Sequence, residues 1–597
     1  MTDELHDDGA AAAPEATARL GWTRLAIGFG WGVALWGLHE AWEAKVWPAT
    51  QLAAMSPLVL IALFVPLIVI AGLGRMRPRT LVIWTGAAAA VVAGLGVYDG
   101  LTATAEAFGE RVAVSPVLVV CAAAGLFIAH SLVEASDHDR RRVASYATLF
   151  DLASKHAVQL ALSGAFVGVF WALLWLGAAL FELIGLDGFR RLLQEQWFSI
   201  PATFTAFAAA GHLTDVRVGL IRGVRTVGLT LLSWLAPMMA LIAAGFLVSL
   251  AFTGLEPLWD TNAGAAILLS AAAVLILLVN AIYQGGDETR PPPLVLRWSA
   301  RVASVALVPI VALAAYALAL RVGQYGLTPE RVIAAACVLV GAVIAAGYAF
   351  AAVRPGPFLK PLEPTNIAGA YTALAVLIAL FTPLADPARL SVNDQVNRLL
   401  AGKVTADKFD WDFLRFQARQ AGLDALKRLA RSNDKAVAEE AKAALARDYR
   451  TAPADAVEPL PRLTIADLKV VSAGKTPPAE FLAQDWSADE TLRGCVGVSL
   501  DARRCRAVLE DFDRDGVDEI LVVRLGSGGL YRRQGAGWRR IASTGGQCDG
   551  WEEALEAGRF RVIEPPLRDV VIGDQRVVLE PPVRLCDPAD PLFGAVK

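Results

Sequence analysis

Between residues 24 and 385 the chain runs through one long apolar stretch after another, separated by short polar loops. Crossing a ~30 Å hydrocarbon core takes ~20 apolar residues in a helix, because every backbone polar group must find its partner within the segment. Stretches of that kind fall near 24–42, 55–74, 80–98, 114–133, 157–184, 197–213, 226–253, 263–284, 302–320, 331–352 and 365–384. They predict an α-helical polytopic membrane protein, with about eleven transmembrane helices in a domain over 24–384. Gly and Ala are dense in these stretches, as close helix packing in lipid requires. Only 19% of the chain is charged, against ~25% in ordinary soluble proteins. A net charge of -3 and the lack of a basic tail give no reason to expect nucleic-acid binding.

Loop charges predict an orientation. If all eleven stretches cross, the loops that hold Arg19/Arg24, Arg75/Arg77/Arg79, Arg140–Arg142 with Lys155, Arg217/Arg222/Arg225, Arg290/Arg297/Arg301 and Arg354/Lys360 share one side. The other side holds only Lys45, Arg111, Arg190, Arg191, Arg321 and Arg331. Positive-inside bias puts the first set in the cytoplasm. Stretch 197–213 is short and carries Pro201, but omitting it would scramble the alternation. Residues 1–23 are then expected to be a disordered cytoplasmic leader. Their acidic start lacks the basic region of a cleavable signal peptide, so the first span reads as an uncleaved anchor. An odd number of crossings puts everything after 384 in the periplasm of a Gram-negative cell, with the membrane part in the inner membrane.

The remainder reads as a soluble α then β-rich region. Over 385–450 a helical segment is expected, with Phe413, Phe416, Leu423, Leu426 and Leu429 at helical spacing and a longer gap at Arg419/Gln420. Residues 451–461 read as a linker. Over 462–597, runs such as Ile520–Val523, Phe560–Ile563 and Arg576–Leu579 between Gly, Pro and Asp predict a β-rich domain. Cys121 and Cys337 fall inside spans, whereas Cys495, Cys505, Cys548 and Cys586 all fall in this region. Four cysteines in an oxidising compartment point to disulfides, with three pairings open.

One loop in this region has the pattern of a cation site. Asp511, Asp513 and Asp515 stand at positions 1, 3 and 5, Gly516 at the sharp turn, Val517 where a backbone carbonyl can ligate, and Glu519 at position 9. Such a set suits Ca2+. Position 12 is Val522, and a strand follows rather than a helix, so the loop is no EF-hand. It resembles the calcium loops of FG-GAP and VCBS-type β-repeats over about a dozen residues, in a single copy. That resemblance implies a bound Ca2+, and with no activated nucleophile or base nearby in sequence its expected role is structural.

Ionisable residues in spans are costly and suggest function. His39 and Glu40 fall at the outer end of the first span and Glu182 at the outer end of the fifth; Arg331 opens the tenth. These four form the candidate membrane-interface site. His130 and Glu134 end the fourth span, His212 and Asp215 end the sixth, and Asn280, Gln284 and Asn366 also lie near span ends. Snorkelling or headgroup contact explains such positions, and no span carries a charge at its centre. That pattern argues against a proton relay. No catalytic set is identified.

The segments Trp47–Thr50, Phe181–Gly185, Tyr325–Arg331 and Leu390–Gln395 resemble the bacterial membrane family catalogued as domain of unknown function 4153, over roughly 20–430. The resemblance implies architecture and no chemistry. The leading expectation is a non-enzymatic inner-membrane protein that positions a periplasmic domain for sensing or for binding an envelope protein. A transporter or lipid/polyprenyl flippase is the alternative, because Pro66, Pro201, Pro237 and Pro309 interrupt apolar stretches. A membrane enzyme acting on lipid-linked substrates is the third reading, with His39, Glu40 and Glu182 as its best residues.

Overall fold

A computed structural model describes residues 14–104, 113–255, 264–289 and 291–447, and beyond these 463–472, 474–486, 489–493, 495, 505–524, 527–535, 537–545, 555, 557, 560, 570–572 and 575–577. Cys548, Cys586 and the expected linker lie outside the described residues. The chain separates into two compact units, Met1–Asp448 and Tyr449–Lys597.

The first unit is helical. Its long helices are α1 (Pro14–Glu43), α2 (Leu52–Gly72), α3 (Pro78–Thr102), α4 (Pro116–Asp139), α5 (Tyr146–Glu182), α7 (Gln196–Val216), α8 (Val218–Thr253), α9 (Gly264–Tyr283), α10 (Leu294–Tyr325), α11 (Pro329–Val353) and α12 (Leu362–Leu380), with a short α6 (Gly188–Gln194) between α5 and α7. Among the described residues nine of these, α2–α5 and α8–α12, are long and apolar enough to cross a membrane. The other two, α1 and α7, fill the places of predicted spans 24–42 and 197–213. These two helices pack on each other. A Cβ on Gly32 of α1 would come within 2.4 Å of Pro201 Cα, and one on Gly28 within 2.5 Å of Ala208 Cβ. Glycine lets the two backbones meet there.

The prolines do not break the helices as expected. Pro66, Pro201, Pro237 and Pro309 all sit inside continuous α-helix. Each removes one N–H from the ladder, and neighbouring helices keep the segment intact.

Hydrogen bonds identify which helix ends lie together. The N-terminal third of α1 (Arg24), the chain just past α2 (Leu73, Arg75), the N-terminal third of α5 (His156) and the end of α7 (Asp215) meet in one cluster. Arg77 at the start of α3 bonds Asp137 at the end of α4 at the same end of the bundle. These six helices therefore alternate in direction.

At the far end of α3, about 33 Å away at ~1.5 Å per residue, the chain after α12 docks. Tyr98 donates to Asp386 Oδ2 at 2.6 Å, and Asp386 in turn accepts from the N–H groups of Ala388 and Arg389, capping α13 (Pro387–Leu400). A π-helical turn at Phe413–Gln417 and helices α14 (Arg419–Leu429) and α15 (Lys435–Leu445) follow. Their core holds Trp411, Leu414, Leu426 and Leu429. The gap in periodicity at Arg419 is a real break, where Arg419 takes a left-handed φ of 55°.

The second unit is a five-stranded sheet, β1 (Leu468–Val470), β2 (Cys505–Glu510), β3 (Glu519–Arg524), β4 (Ser527–Gln534) and β5 (Gly537–Gly545), in sequence order, with β1 parallel to β2 and the rest antiparallel. A separate hairpin pairs β6 (Val570–Ile572) with β7 (Gln575–Val577). Cys505, Ala507 and Leu509 alternate along β2 and pack with Phe481, Trp486, Tyr531 and Trp538. Val508 and Val523 face the other side with Leu555. A disulfide joins Cys495 to Cys505.

Candidate functional site

The strongest concentration of buried ionisable groups lies where α1, α2, α4, α5 and α7 meet. Arg24 is 2% exposed. Its Nη2 donates to the Leu73 carbonyl at 2.7 Å and to Asp215 Oδ2 at 2.8 Å, and its Nη1 lies 3.5 Å from His212 Nδ1. Arg75 holds the other oxygen of Asp215, donates to Gln159 Oε1 at 3.1 Å, and reaches His156 Nε2 at 3.2 Å. Lys155 Nζ lies 4.0 Å from Asp215.

A second group adjoins the first through His156. Glu134, 4% exposed, has its Oε2 3.1 Å from His156 Nε2 and 3.2 Å from His130 Nε2. His130 and Glu134 are one turn apart on α4, and Trp84 of α3 donates to His130 Nδ1 at 3.1 Å. A cavity of about 310 Å³ opens beside both groups. Arg24, Arg75, His130, His156, Gln159 and Asp215 form its polar side; Phe64, Leu67, Ile68, Leu126, Phe127 and Phe207 are among its apolar walls.

This arrangement corrects the expectation that ionisable groups at span ends face headgroups or water. His130, Glu134 and Asp215 are turned inward and paired across helices. Sequence reasoning did not select Arg24, Arg75 or His156 for a site. A signal for it existed in α5, where His156, Gln159 and Ser163 fall on one helical face of an otherwise apolar segment and all line the cavity.

The predicted interface residues have separate surroundings. Glu40 is exposed and accepts from Trp36 Nε1 at 3.0 Å, and His39 is half-buried. Glu182 accepts from Arg190 at 2.6 Å. Arg331 donates to the Gly326 carbonyl at 2.5 Å and lies over the Tyr325 ring. Asn280 and Asn366, also read as interfacial, are joined instead. Asn366 Nδ2 donates to Asn280 Oδ1 at 2.8 Å, and Tyr348 and Tyr146 complete a neutral network between helices. Such bonds hold helices together in lipid.

Two of the family-like segments dock on each other. Asp394 Oδ2 accepts from the Leu327 N–H at 2.7 Å, and Gln395 Nε2 donates to the carbonyls of Tyr325 and Leu327. Gly326 takes φ 81° in the clamped turn. Thr328 then caps α11 by accepting from the Arg331 N–H.

In the second unit the loop between β2 and β3 brings together carboxylate oxygens of Asp511, Asp513 and Glu519 within 4.8 Å of one another. Glu519 is 1% exposed; its Oε2 accepts from the Phe512 N–H, and its Oε1 is buried without a hydrogen bond among the described residues. Asp515 instead accepts from the Val517 N–H, Val517 is exposed, and Arg532 bonds Asp513 Oδ2 at 2.9 Å.

A family model described as "Domain of unknown function (DUF4153)" matches residues 32–431. No curated protein and no solved structure matches the chain.

Proposed function

The chain belongs to the DUF4153 family, whose description names no activity, and from its own buried groups we propose that the membrane domain binds an amphiphile with an anionic headgroup, as a lipid carrier or flippase does. The cavity carries this reading, because its apolar walls end in a polar side with surplus positive charge. Of the charged groups that line it, Arg24 and Arg75 stand against Asp215 when the imidazoles are neutral. Arg24 Nε is buried without a hydrogen bond among the described residues. A surplus cation in a medium of low dielectric constant is costly until an anion joins it. The acyl part would lie along Phe64, Leu67 and Phe127.

The test is lipid retention. Protein purified into phosphatidylcholine nanodiscs doped with phosphatidylglycerol is expected to hold the anionic lipid preferentially by native mass spectrometry. Arg24→Gln and Arg75→Gln should each weaken that preference about tenfold, which is ~1.4 kcal/mol. Equal retention of both lipids would overturn the reading.

The orientation belongs to the same proposal. The basic Arg24 end faces the cytoplasm of a bacterial inner membrane, and the segment after α12, at the opposite end, faces the periplasm. The loop charges and the Cys495–Cys505 disulfide support it. The second unit is then an extracytoplasmic sensing or partner-binding domain, with Ca2+ held by Asp511, Asp513 and Glu519 as a brace. Glu519 Oε1, which has no hydrogen bond among the described residues, supports the cation.

A further inference from the structure

His156 stands between two neighbours that need opposite things of one atom. Its Nε2 is 3.2 Å from Arg75 Nη1 and 3.1 Å from Glu134 Oε2. A guanidinium only donates, so a bond to Arg75 needs the ring lone pair; an ionised carboxylate only accepts, so a bond to Glu134 needs a ring proton. One nitrogen cannot serve both. The second imidazole is less free. The indole of Trp84 only donates, so His130 Nδ1 must be the acceptor and the proton of the neutral ring sits on Nε2, on the Glu134 side. Even so, among the described residues neither His130 Nε2 nor Glu134 Oε2 makes a well-aligned hydrogen bond, although both are buried.

The three atoms are spaced as metal ligands could be. The indole argues against a metal. A metal on His130 Nε2 would need the proton on Nδ1, as metal-bound histidines usually have it, and two donors would then face each other 3.1 Å apart. The unsettled position therefore fits a proton.

We propose that His156, Glu134 and His130 form a proton-binding site linked to anion binding in the adjoining cavity. This rests on the anionic-amphiphile reading above. Without the anion, Arg75 reaches His156, and Nε2 offers its lone pair. When a headgroup engages Arg75 and Arg24, its negative charge offsets the cations opposite His156. Nε2 then takes a proton from water and donates it to Glu134. One anion and one proton enter together, so the buried charge does not change. Around His156 the other charged or titratable groups are Lys155 and Asp151 on its own helix, Arg225 on α8, which pairs with Asp151, Asp215 and His212 on α7, Arg24 on α1, and the Arg77–Asp137 pair between α3 and α4. The carboxylates among them are already held by arginines. By linkage, acid must tighten anion binding by the same factor by which the anion tightens proton binding.

The test is phosphatidylglycerol binding to the full-length protein in nanodiscs from about pH 5.5 to about pH 8.5, the range in which imidazoles titrate, with proton uptake read by a pH indicator in weak buffer. The wild type is expected to bind about tenfold more tightly at the acid end and to take up protons on binding. In His156→Gln the binding that remains should show a flat pH profile and no proton uptake. Glu134→Gln should also flatten it, while His212→Gln should keep the slope. Binding by the wild type that is independent of pH would overturn the proton site and leave the anion reading standing. Absence of binding at every pH would overturn both. Stoichiometric zinc retained by the wild type and lost in His156→Gln would overturn the proton site in favour of a metal centre.

Discussion

Arg419 is bound to Asp99. Its Nη2 lies 2.7 Å from Asp99 Oδ1 and 2.6 Å from the Asp99 carbonyl oxygen, which ties helix α14 to the end of α3. Asp99 is buried and also accepts from the Ser115 N–H. Replacing it with Asn keeps the shape and removes the charge facing a partly buried guanidinium. Breaking a buried pair from one side costs ~3–5 kcal/mol, and the partial exposure of Arg419 puts this case near the lower end. Asp99→Asn should lower the melting temperature and speed tryptic cleavage between 401 and 419. Unchanged proteolysis would mean that the pair does not hold the segment.

The docked turn at Gly326 yields a second prediction. A Cβ there would lie 2.6 Å from Asp394 Oδ2, on a backbone with φ 81°. Gly326→Ala should cost more than ~1 kcal/mol. Asp394→Ala should cost ~1–3 kcal/mol, because the Leu327 N–H loses its partner. Hydrogen exchange over 323–328 should accelerate in both variants, and protection equal to wild type in either would sink the assignment.

Close packing of α1 on α7 sets the position of Arg24 opposite Asp215. Gly32→Val should push the helices apart at an overpacking cost of ~1–3 kcal/mol and weaken phosphatidylglycerol retention as Arg24→Gln does. Gly30 has nothing among the described residues within 4 Å of its would-be Cβ, so Gly30→Ala should leave retention at the wild-type level. Retention that survives Gly32→Val would separate the helix contact from the site.

The helices were legible because the hydrocarbon core demands unbroken apolar length, and each predicted span overlaps one helix. Loop charge preserved 197–213 in that reading despite Pro201, and the position of Asp215 beside Arg24 and Arg75 agrees. The site was not legible in the same way. Its residues sit at the ends of apolar stretches, where a sequence cannot distinguish a side chain turned to headgroups from one turned to a neighbouring helix. Arg24 counted toward orientation, yet it is among the most buried side chains of the molecule. In the second unit the acidic spacing was readable, but local order alone did not show that Asp515 bonds its own loop while Glu519 is buried.

Glu519 gives the second unit a pH dependence whose sign can be worked out. Burial raises its carboxyl above the ordinary value of 4.5; the Phe512 N–H opposes this, and the carboxylates of Asp513, Asp515 and Asp511 add to the rise. Below the ordinary value the side chain is protonated in the folded and unfolded states alike, and its stabilising effect is fully present. As pH rises through the folded value that stability is lost, because the ionised form is disfavoured only in the fold. In chelator, the thermal transition of this unit in the full-length protein should therefore fall as pH rises from about 4.5. Glu519→Gln should flatten that slope. A bound Ca2+ would supply the missing partner, so at neutral pH calcium at about 100 times its dissociation constant should restore ~2.7 kcal/mol. Asp511→Asn should abolish the calcium effect without removing the pH slope. A transition that calcium leaves unmoved at neutral pH would rule out the cation brace, and the buried Glu519 would then stand as a destabilising charge with no ligand.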